Sequence, residues 1–337
     1  MLYQKKLDKI IYNRYKHIDH IDHDELDLVI ISGYVGPGPI KKISEIPLHT
    51  TIVYGMYACN GISQALHNTL INDDNKFNNV DIYYSSFPVH SKLYMWRYQG
   101  VVIDALVGSA NFSTNGLTNP FRETLAEPTY DTFSDLDNYI ELVLSQAIRC
   151  RNGIASPTHK LDVTAEIYNP HICRIPLYAT KNGEDFIPPS SGLNWGMASL
   201  NGSHVNPNDA YIRIPSRFLS YYPDLFPVKQ LAPSNIESIP KTGHRNNDTI
   251  DIIWDDGTTM VGLLEGSQSC TIDGIKNIYP KQIATSPNKS KLGKYIRKRL
   301  GVPEGQLITL EDLDRYGRRT IDISLQGEGI YYLDFSV

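Results

Sequence analysis

Apolar and polar positions alternate differently in the two halves of the chain. In the first half, residues 26–33 (Leu-Asp-Leu-Val-Ile-Ile-Ser-Gly) read as a buried strand ending in a turn, and residues 49–55 as another. Residues 60–71 repeat their apolar positions at helical spacing, and residues 80–84 are strand-like again. Two more apolar runs, 92–98 and 101–107, flank Gln99-Gly100, the pattern of a β-hairpin. Strand, strand, helix, strand and hairpin together predict an α/β sandwich. Ser134 is a good N-cap for an amphipathic helix over residues 135–149, and Asn152-Gly153 and Ser156-Pro157 mark the exit from this half. The boundary is expected near residue 165, giving domains 1–165 and 166–337.

The second half consists of short strands separated by Pro and Gly. Strands are expected over residues 173–178, 210–214, 249–254, 258–264, 319–324 and 330–335, and helices only over 291–300 and 310–315. Asp255-Asp256-Gly257 is a hairpin turn between two of the strands. This many short antiparallel strands indicate a small, mostly-β barrel or sandwich. The 31 residues from 179 to 209 are long for a connector, and long ordered loops are usually functional.

Composition narrows the class. At 337 residues the chain is long enough for two cores, and a net charge of −5 argues against a polybasic coat while leaving room for a local basic groove. The four cysteines are scattered without paired spacing, as expected of reduced thiols in a cytoplasmic protein. No secretory signal or membrane-length apolar run is present, so neither secretion nor a membrane partner is expected. His17, His20 and His23 recur every three residues among Asp19, Asp22 and Asp24, where a solvated helix is favoured over a metal site. Gly33–Gly38 is glycine-rich but lacks both nucleotide-loop spacings and reads as a turn.

The chemistry concentrates in one place. His90-Ser91-Lys92 is followed, sixteen residues after Lys92, by Gly108-Ser109-Ala110-Asn111, and the pair occurs once. With a two-residue loop at Gln99-Gly100, His90 is expected to face Ser109, and Lys92 to face Val107, at the open end of the hairpin. A neutral imidazole is a competent nucleophile toward phosphorus and forms a phosphohistidine that water later opens. Lys92 offers a point charge to the non-bridging oxygens, and Ser109 and Asn111 add hydrogen-bond donors. Glu123, twelve residues past Asn111, is expected to hold the second ring nitrogen of His90, with Glu127 a competitor for that role.

These residues resemble the phospholipase D superfamily, whose signature is H-x-K-x4-D followed by G-S-x-N. His90, Lys92, Gly108, Ser109 and Asn111 match, Glu123 fits the acidic position downstream, and Arg97 stands where the family has Asp. The resemblance implies a metal-independent site with no cofactor. Its chemistry needs two histidines, one attacking and one protonating the leaving oxygen. A single motif per chain therefore implies a homodimer with a composite site on the axis.

In the second half, Asn194-Trp195-Gly196, the run 210–215 and Asp255-Asp256-Gly257 resemble restriction endonucleases of the NgoFVII type, in which a phospholipase-D-type nuclease precedes a B3-like pseudobarrel. That resemblance implies a bacterial enzyme that grips double-stranded DNA between two arms, here 179–209 and 265–281. The expected DNA-facing residues are Ser191, Asn194, Trp195, Asn206, Asn208 and Arg213, with Ser267 and Gln268 near the second tip and Lys281 beyond. It also implies a separate helicase-like ATPase in some relatives; no ATP-binding P-loop stands in this sequence. The basic run Lys289, Lys291, Lys294, Arg297, Lys298, Arg299 fits a solvated helix face or a phosphate-contacting edge equally. Two rival readings remain: a non-specific phospholipase-D-type nuclease or phospholipase, and a DNA-binding module whose nuclease half has decayed through Arg97.

Overall fold

The structure is a computed structural model that describes all residues except 20, 157–168, 170, 202–204 and 230–246, with the side chains of 199–201 also undescribed. The chain folds as two compact units, Met1–His159 with Gln326–Ile330, and Lys160–Leu325 with Tyr331–Val337. The boundary expected at residue 165 falls outside the described residues.

The first unit holds strands β1 (Leu2–Tyr3), β2 (Leu26–Ser32), β3 (His49–Tyr54), β4 (Val80–Ser85), β5 (Lys92–Tyr98), β6 (Val101–Gly108), β7 (Leu125–Ala126) and β8 (Ala147–Arg149). Its helices are α1 (Leu7–Asn13), α2 (Pro37–Ile43), α3 (Tyr57–Asn60), α4 (Gln64–Lys76), α5 (Thr114–Thr118) and α6 (Phe133–Ser145). The eight strands form one sheet in the order β1-β7-β6-β5-β2-β3-β4-β8. β2, β3 and β4 run parallel, and β5 pairs antiparallel with β2. Strand alternation sends Val29, Ile31, Val53, Leu93 and Met95 to the face covered by Ile140 and Val143 of α6. Leu28, Ile30, Ile52 and Ile82 are fully buried on the other face. Covering both faces explains why the central strands read as continuous apolar runs.

Two expectations need correction. Helix α6 begins at Phe133 with Thr132 at its N-cap, not Ser134, and ends at Ser145, because residues 147–149 leave to pair with β4. The β5–β6 hairpin also departs from its expected register. Gln99 and Gly100 both take positive φ (49° and 82°), as a tight primed turn requires, and Tyr98 faces Val101. A bulge between Trp96 and Arg97 then shifts the pairing, so Val107 faces Leu93 rather than Lys92.

In the second unit, β9 (Cys173–Pro176), β10 (Ala179–Lys181), β11 (Glu184–Phe186), β12 (Ile212–Arg213), β13 (Asp248–Trp254), β14 (Thr259–Glu265), β15 (Gln268–Ile272), β16 (Ile275–Tyr279), β17 (Gln282–Thr285), β18 (Thr320–Gly327) and β19 (Ile330–Asp334) accompany α7 (Ser290–Leu300) and α8 (Leu310–Tyr316). Seven strands form a sheet ordered β12-β17-β14-β13-β19-β18-β9, and β10–β11 and β15–β16 are separate two-stranded hairpins. The sheet curls around Trp254, Phe226, Ile296, Leu313 and Phe335, all nearly or fully buried, as a pseudobarrel. Both small hairpins lie inside the stretches expected as arms. Each turns on residues with two positive φ angles, Asn182-Gly183 and Asp273-Gly274.

Candidate functional site

Ser32 at the end of β2 is the cross-strand partner of Lys92 at the start of β5, so Gly33 and His90 leave the sheet at the same end. A Cβ on Gly33 would stand 3.0 Å from His90 Cδ2, 3.2 Å from Lys92 Nζ and 3.4 Å from Asn111 Oδ1. Those three groups therefore converge on one spot, and only glycine leaves it open. His90 is exposed, whereas Lys92 and Asn111 are 6 % and 5 % exposed. Lys92 Nζ donates to the His90 carbonyl oxygen at 2.6 Å, which ties the ammonium to the His90 backbone.

Asn111 does not arrive by strand alternation. β6 ends at Gly108, and the next residues cross the end of β2, where Phe112 N donates to Ser32 Oγ (2.9 Å) and Gly36 N to the Phe112 carbonyl (2.9 Å). Asn111 Oδ1 accepts from Tyr34 N (3.2 Å), and Nδ2 donates to Glu328 Oε2 (3.2 Å). Glu328 belongs to the 326–330 segment of this unit and is distant in sequence, so nothing in the motif announced it. Gly108 has a packing reason: a Cβ there would lie 2.0 Å from the Thr124 carbonyl oxygen.

Ser109 is exposed and faces the acidic residue, its Oγ accepting from Thr124 N at 3.1 Å and hydrogen-bonding the Glu123 carboxylate. Burial raises the Glu123 pKa, the Ser109 bond opposes the rise, and the charge of Glu328 adds to it. Burial pushes the Lys92 ammonium down, against the pull of Glu328 and Glu123. Within the described residues, Glu123 meets Ser109 and Lys92 and makes no hydrogen bond to the His90 ring. Its competitor Glu127 sits in another network, accepting from Tyr3 Oη (2.7 Å), Arg14 Nη1 (2.8 Å) and the N-terminal amine (2.9 Å). Arg97 lies beyond the bulge, paired with Asp137 (3.5 Å) and Glu141 (3.3 Å) of α6.

In the second unit the expected DNA-facing residues divide. Ser191, Arg213 and Lys281 line a cavity of about 580 Å³ together with Tyr178, Tyr211 and Arg217, and both Arg213 and Lys281 are exposed. Ser267 is exposed at the foot of β15, and Asn206 is exposed in a turn closed by Asp209 Oδ2 accepting from its backbone N–H (3.0 Å). Three others have side-chain amides engaged within the protein. Asn194, 1 % exposed, donates to Ile308 O (2.8 Å) and accepts from Ile308 N (2.8 Å). Asn208 accepts from Gly305 N (2.8 Å) and donates to Glu304 (3.3 Å). Gln268 donates to Pro280 O (2.8 Å) and Ile214 O (3.0 Å). Trp195 is half-buried, edge-on to Tyr211 with Lys289 Nζ 4.9 Å from its ring centre.

The basic run is neither a free face nor a phosphate edge throughout. Arg297 is fully buried, Arg299 is clamped by Asp255 (2.7 Å), and Lys289 and Lys294 pair with Glu265 and Glu304 (2.6 Å each). Arg217, Tyr178 and Tyr211 line the same cavity as Arg213 and Lys281 without having been expected there; the alternation of Tyr211 and Arg213 was the available signal. Among the described residues no group of three or more His, Cys, Asp and Glu side chains gathers as a metal site, and no helix is long and apolar enough to cross a membrane.

Two family models match the chain in tandem. Residues 5–153 match the NgoFVII restriction endonuclease N-terminal PLD domain, and residues 168–326 the NgoFVII C-terminal B3-like DNA-binding domain. No curated protein matches the sequence. Solved structures similar to it include NucT from Helicobacter pylori, 15% identical over 44% of this chain and 97% of that one, with a TM-score of 0.31. The phospholipase D family member Nuc from Salmonella typhimurium is 14% identical over 42% and 87%, TM-score 0.29. A polyphosphate kinase from Porphyromonas gingivalis is 13% identical over 45% and 23%, TM-score 0.29.

Proposed function

The chain belongs to the NgoFVII restriction endonuclease family, as a phospholipase-D-type deoxyribonuclease carrying a B3-like DNA-binding domain, and we propose that it cuts DNA at a specific sequence through a phosphohistidine on His90. The observation that carries the reading is the convergence of the His90 ring edge, the buried Lys92 ammonium and Asn111 Oδ1 on the space above Gly33.

One ring nitrogen of His90 attacks the scissile phosphorus, and the P–O bond to the leaving nucleoside oxygen breaks as the N–P bond forms. Lys92, the Asn111 Nδ2 hydrogen not given to Glu328, and the Ser109 hydroxyl take the charge that grows on the non-bridging oxygens, which is the task a metal would otherwise perform, so no metal or other cofactor is required. The leaving oxygen takes its proton from the imidazolium of a second His90, supplied by another copy of the chain in a two-fold dimer. Water then attacks the phosphohistidine, loses its proton to that second histidine, and the N–P bond breaks. In the dimer Glu123 orients a histidine ring; inside one chain its partners are Ser109 and Lys92. The cavity bearing Arg213, Arg217 and Lys281 supports a role for the second unit in binding the duplex. Any nucleotide use would come through a separate helicase-like ATPase.

The test is digestion of plasmid DNA in excess EDTA, by the wild type and by His90→Ala. Chelator-resistant cleavage lost in the variant is expected. Intact cleavage by His90→Ala, or strict dependence on magnesium, would overturn the proposal.

A further inference from the structure

The stretch after β2, read from the sequence as a bland turn, touches the reactive histidine. The Tyr34 ring stands edge-on to the His90 ring, with centroids 6.1 Å apart and planes at 83°. Tyr34 is itself held on every side. Its N–H donates to Asn111 Oδ1 (3.2 Å), and its carbonyl accepts from Ser32 Oγ (2.7 Å). Its hydroxyl accepts from Asn60 Nδ2 (2.6 Å), and its ring packs edge-on to Tyr54, 6.1 Å away and 2 % exposed. His90, by contrast, is exposed on the segment that precedes β5, and Lys92 grips only its carbonyl.

We propose that Tyr34 is a positioning residue for the nuclease reaction: its anchored ring sets the plane of the His90 imidazole so that a nitrogen points at the phosphorus above Gly33. The inference rests on His90 being the nucleophile. A rigid aromatic neighbour restricts a ring that has few contacts of its own, and attack needs the nitrogen aligned with the breaking P–O bond. The ring does this work, and the hydroxyl serves only to moor the ring to Asn60.

The experiment is single-turnover cleavage of a short duplex in EDTA, with DNA affinity measured in parallel. Tyr34→Leu should slow cleavage about 10- to 100-fold with affinity within about twofold, the size expected when a reacting group is misaligned. Tyr34→Phe keeps the ring but loses the Asn60 mooring, so it should slow cleavage only about 3- to 10-fold, like Asn60→Ala. Asn60→Ala, at an exposed site, should slow cleavage about 3- to 10-fold and serves if Tyr34→Leu does not fold. An unchanged rate in a folded Tyr34→Leu would overturn the proposal. So would lost affinity with an intact rate, which makes the ring a DNA contact, or Tyr34→Phe as slow as Tyr34→Leu. Cleavage surviving His90→Ala is a different failure, that of the nucleophile assignment itself.

Discussion

Lys92 and Arg297 are both buried cations, one in each unit, and they do opposite things. Lys92 Nζ has one hydrogen bond, to the His90 carbonyl, and otherwise looks toward the exposed histidine and the Asn111 amide. Arg297, 0 % exposed, donates to Gln306 O (2.8 Å), Gly293 O (3.3 Å) and Leu193 O (3.4 Å) and joins α7 to two loops. A charge removed from water must be satisfied, and how it is satisfied separates a binding site from a brace. Arg297 meets three carbonyls of its own protein, whereas Lys92 meets one and stands beside the exposed His90. Burial pushes both pKa values down, so both charged forms are held at a cost in stability.

The comparison breaks most sharply on activity. Lys92→Met should cut DNA cleavage by about 10³-fold or more with no loss of thermal stability, because a desolvated charge leaves with it. Arg297→Met should leave cleavage per folded molecule near wild type and cost about 2–4 kcal/mol in denaturant unfolding, since buried carbonyls lose their donors. If Arg297→Met left stability intact and abolished binding instead, the basic run would be a DNA edge after all.

The same contrast runs through the second unit at smaller size. Arg213→Ala or Lys281→Ala should weaken DNA binding by about 1–3 kcal/mol, or lower the salt dependence by about one counterion where the partner is a phosphate. Asn194→Ala should instead lower stability by about 1–3 kcal/mol and leave sequence preference unchanged. Equal effects on specificity would erase the distinction between exposed and satisfied polar groups.

Glu123 and Glu127 repeat the comparison in carboxylates. Burial raises the Glu123 pKa above its ordinary value, so the acid limb of cleavage should lie above that value and activity should fall as pH drops through it. Ser109→Ala removes a bond that lowers this pKa and should move the limb further up; a downward move would contradict the assignment. Hydrogen bonds from Tyr3, the N-terminal amine and Arg14 depress the Glu127 pKa to about 2. A depressed acid stabilises the fold above its unfolded pKa and loses that contribution as pH falls toward the folded value. Glu127→Gln should therefore flatten the stability profile on the way down to about pH 2 and leave the cleavage profile alone. This is the smallest effect expected.

The fold was legible wherever local rules decide it. β13, β14, β18, β19, α7 and α8 lie where their period and Asp256-Gly257 indicate. The two small hairpins were missed although Asn182-Gly183 and Asp273-Gly274 are strong turn pairs, because their flanks lack apolar alternation. The motif residues stand out in the sequence, but the route that brings them together does not. A bulge at Trp96/Arg97 cancels the simple hairpin register, and Asn111 reaches the site through the crossing segment instead. Gly33, Tyr34 and Glu328 could not be read at all, since their place depends on which strand ends neighbour β5 in space. Amides such as Asn194 show the converse: composition gives a donor and an acceptor, and only packing shows that both are occupied.

The central claim is that His90 carries the DNA phosphate in a covalent bond. Its most direct test is rapid acid-free quenching of a single turnover, in EDTA, on duplex DNA radiolabelled at the scissile phosphate, followed by peptide mapping. The account predicts label on the peptide containing His90, acid-labile and absent from His90→Ala. Efficient cleavage with no labelled protein at any time would contradict it.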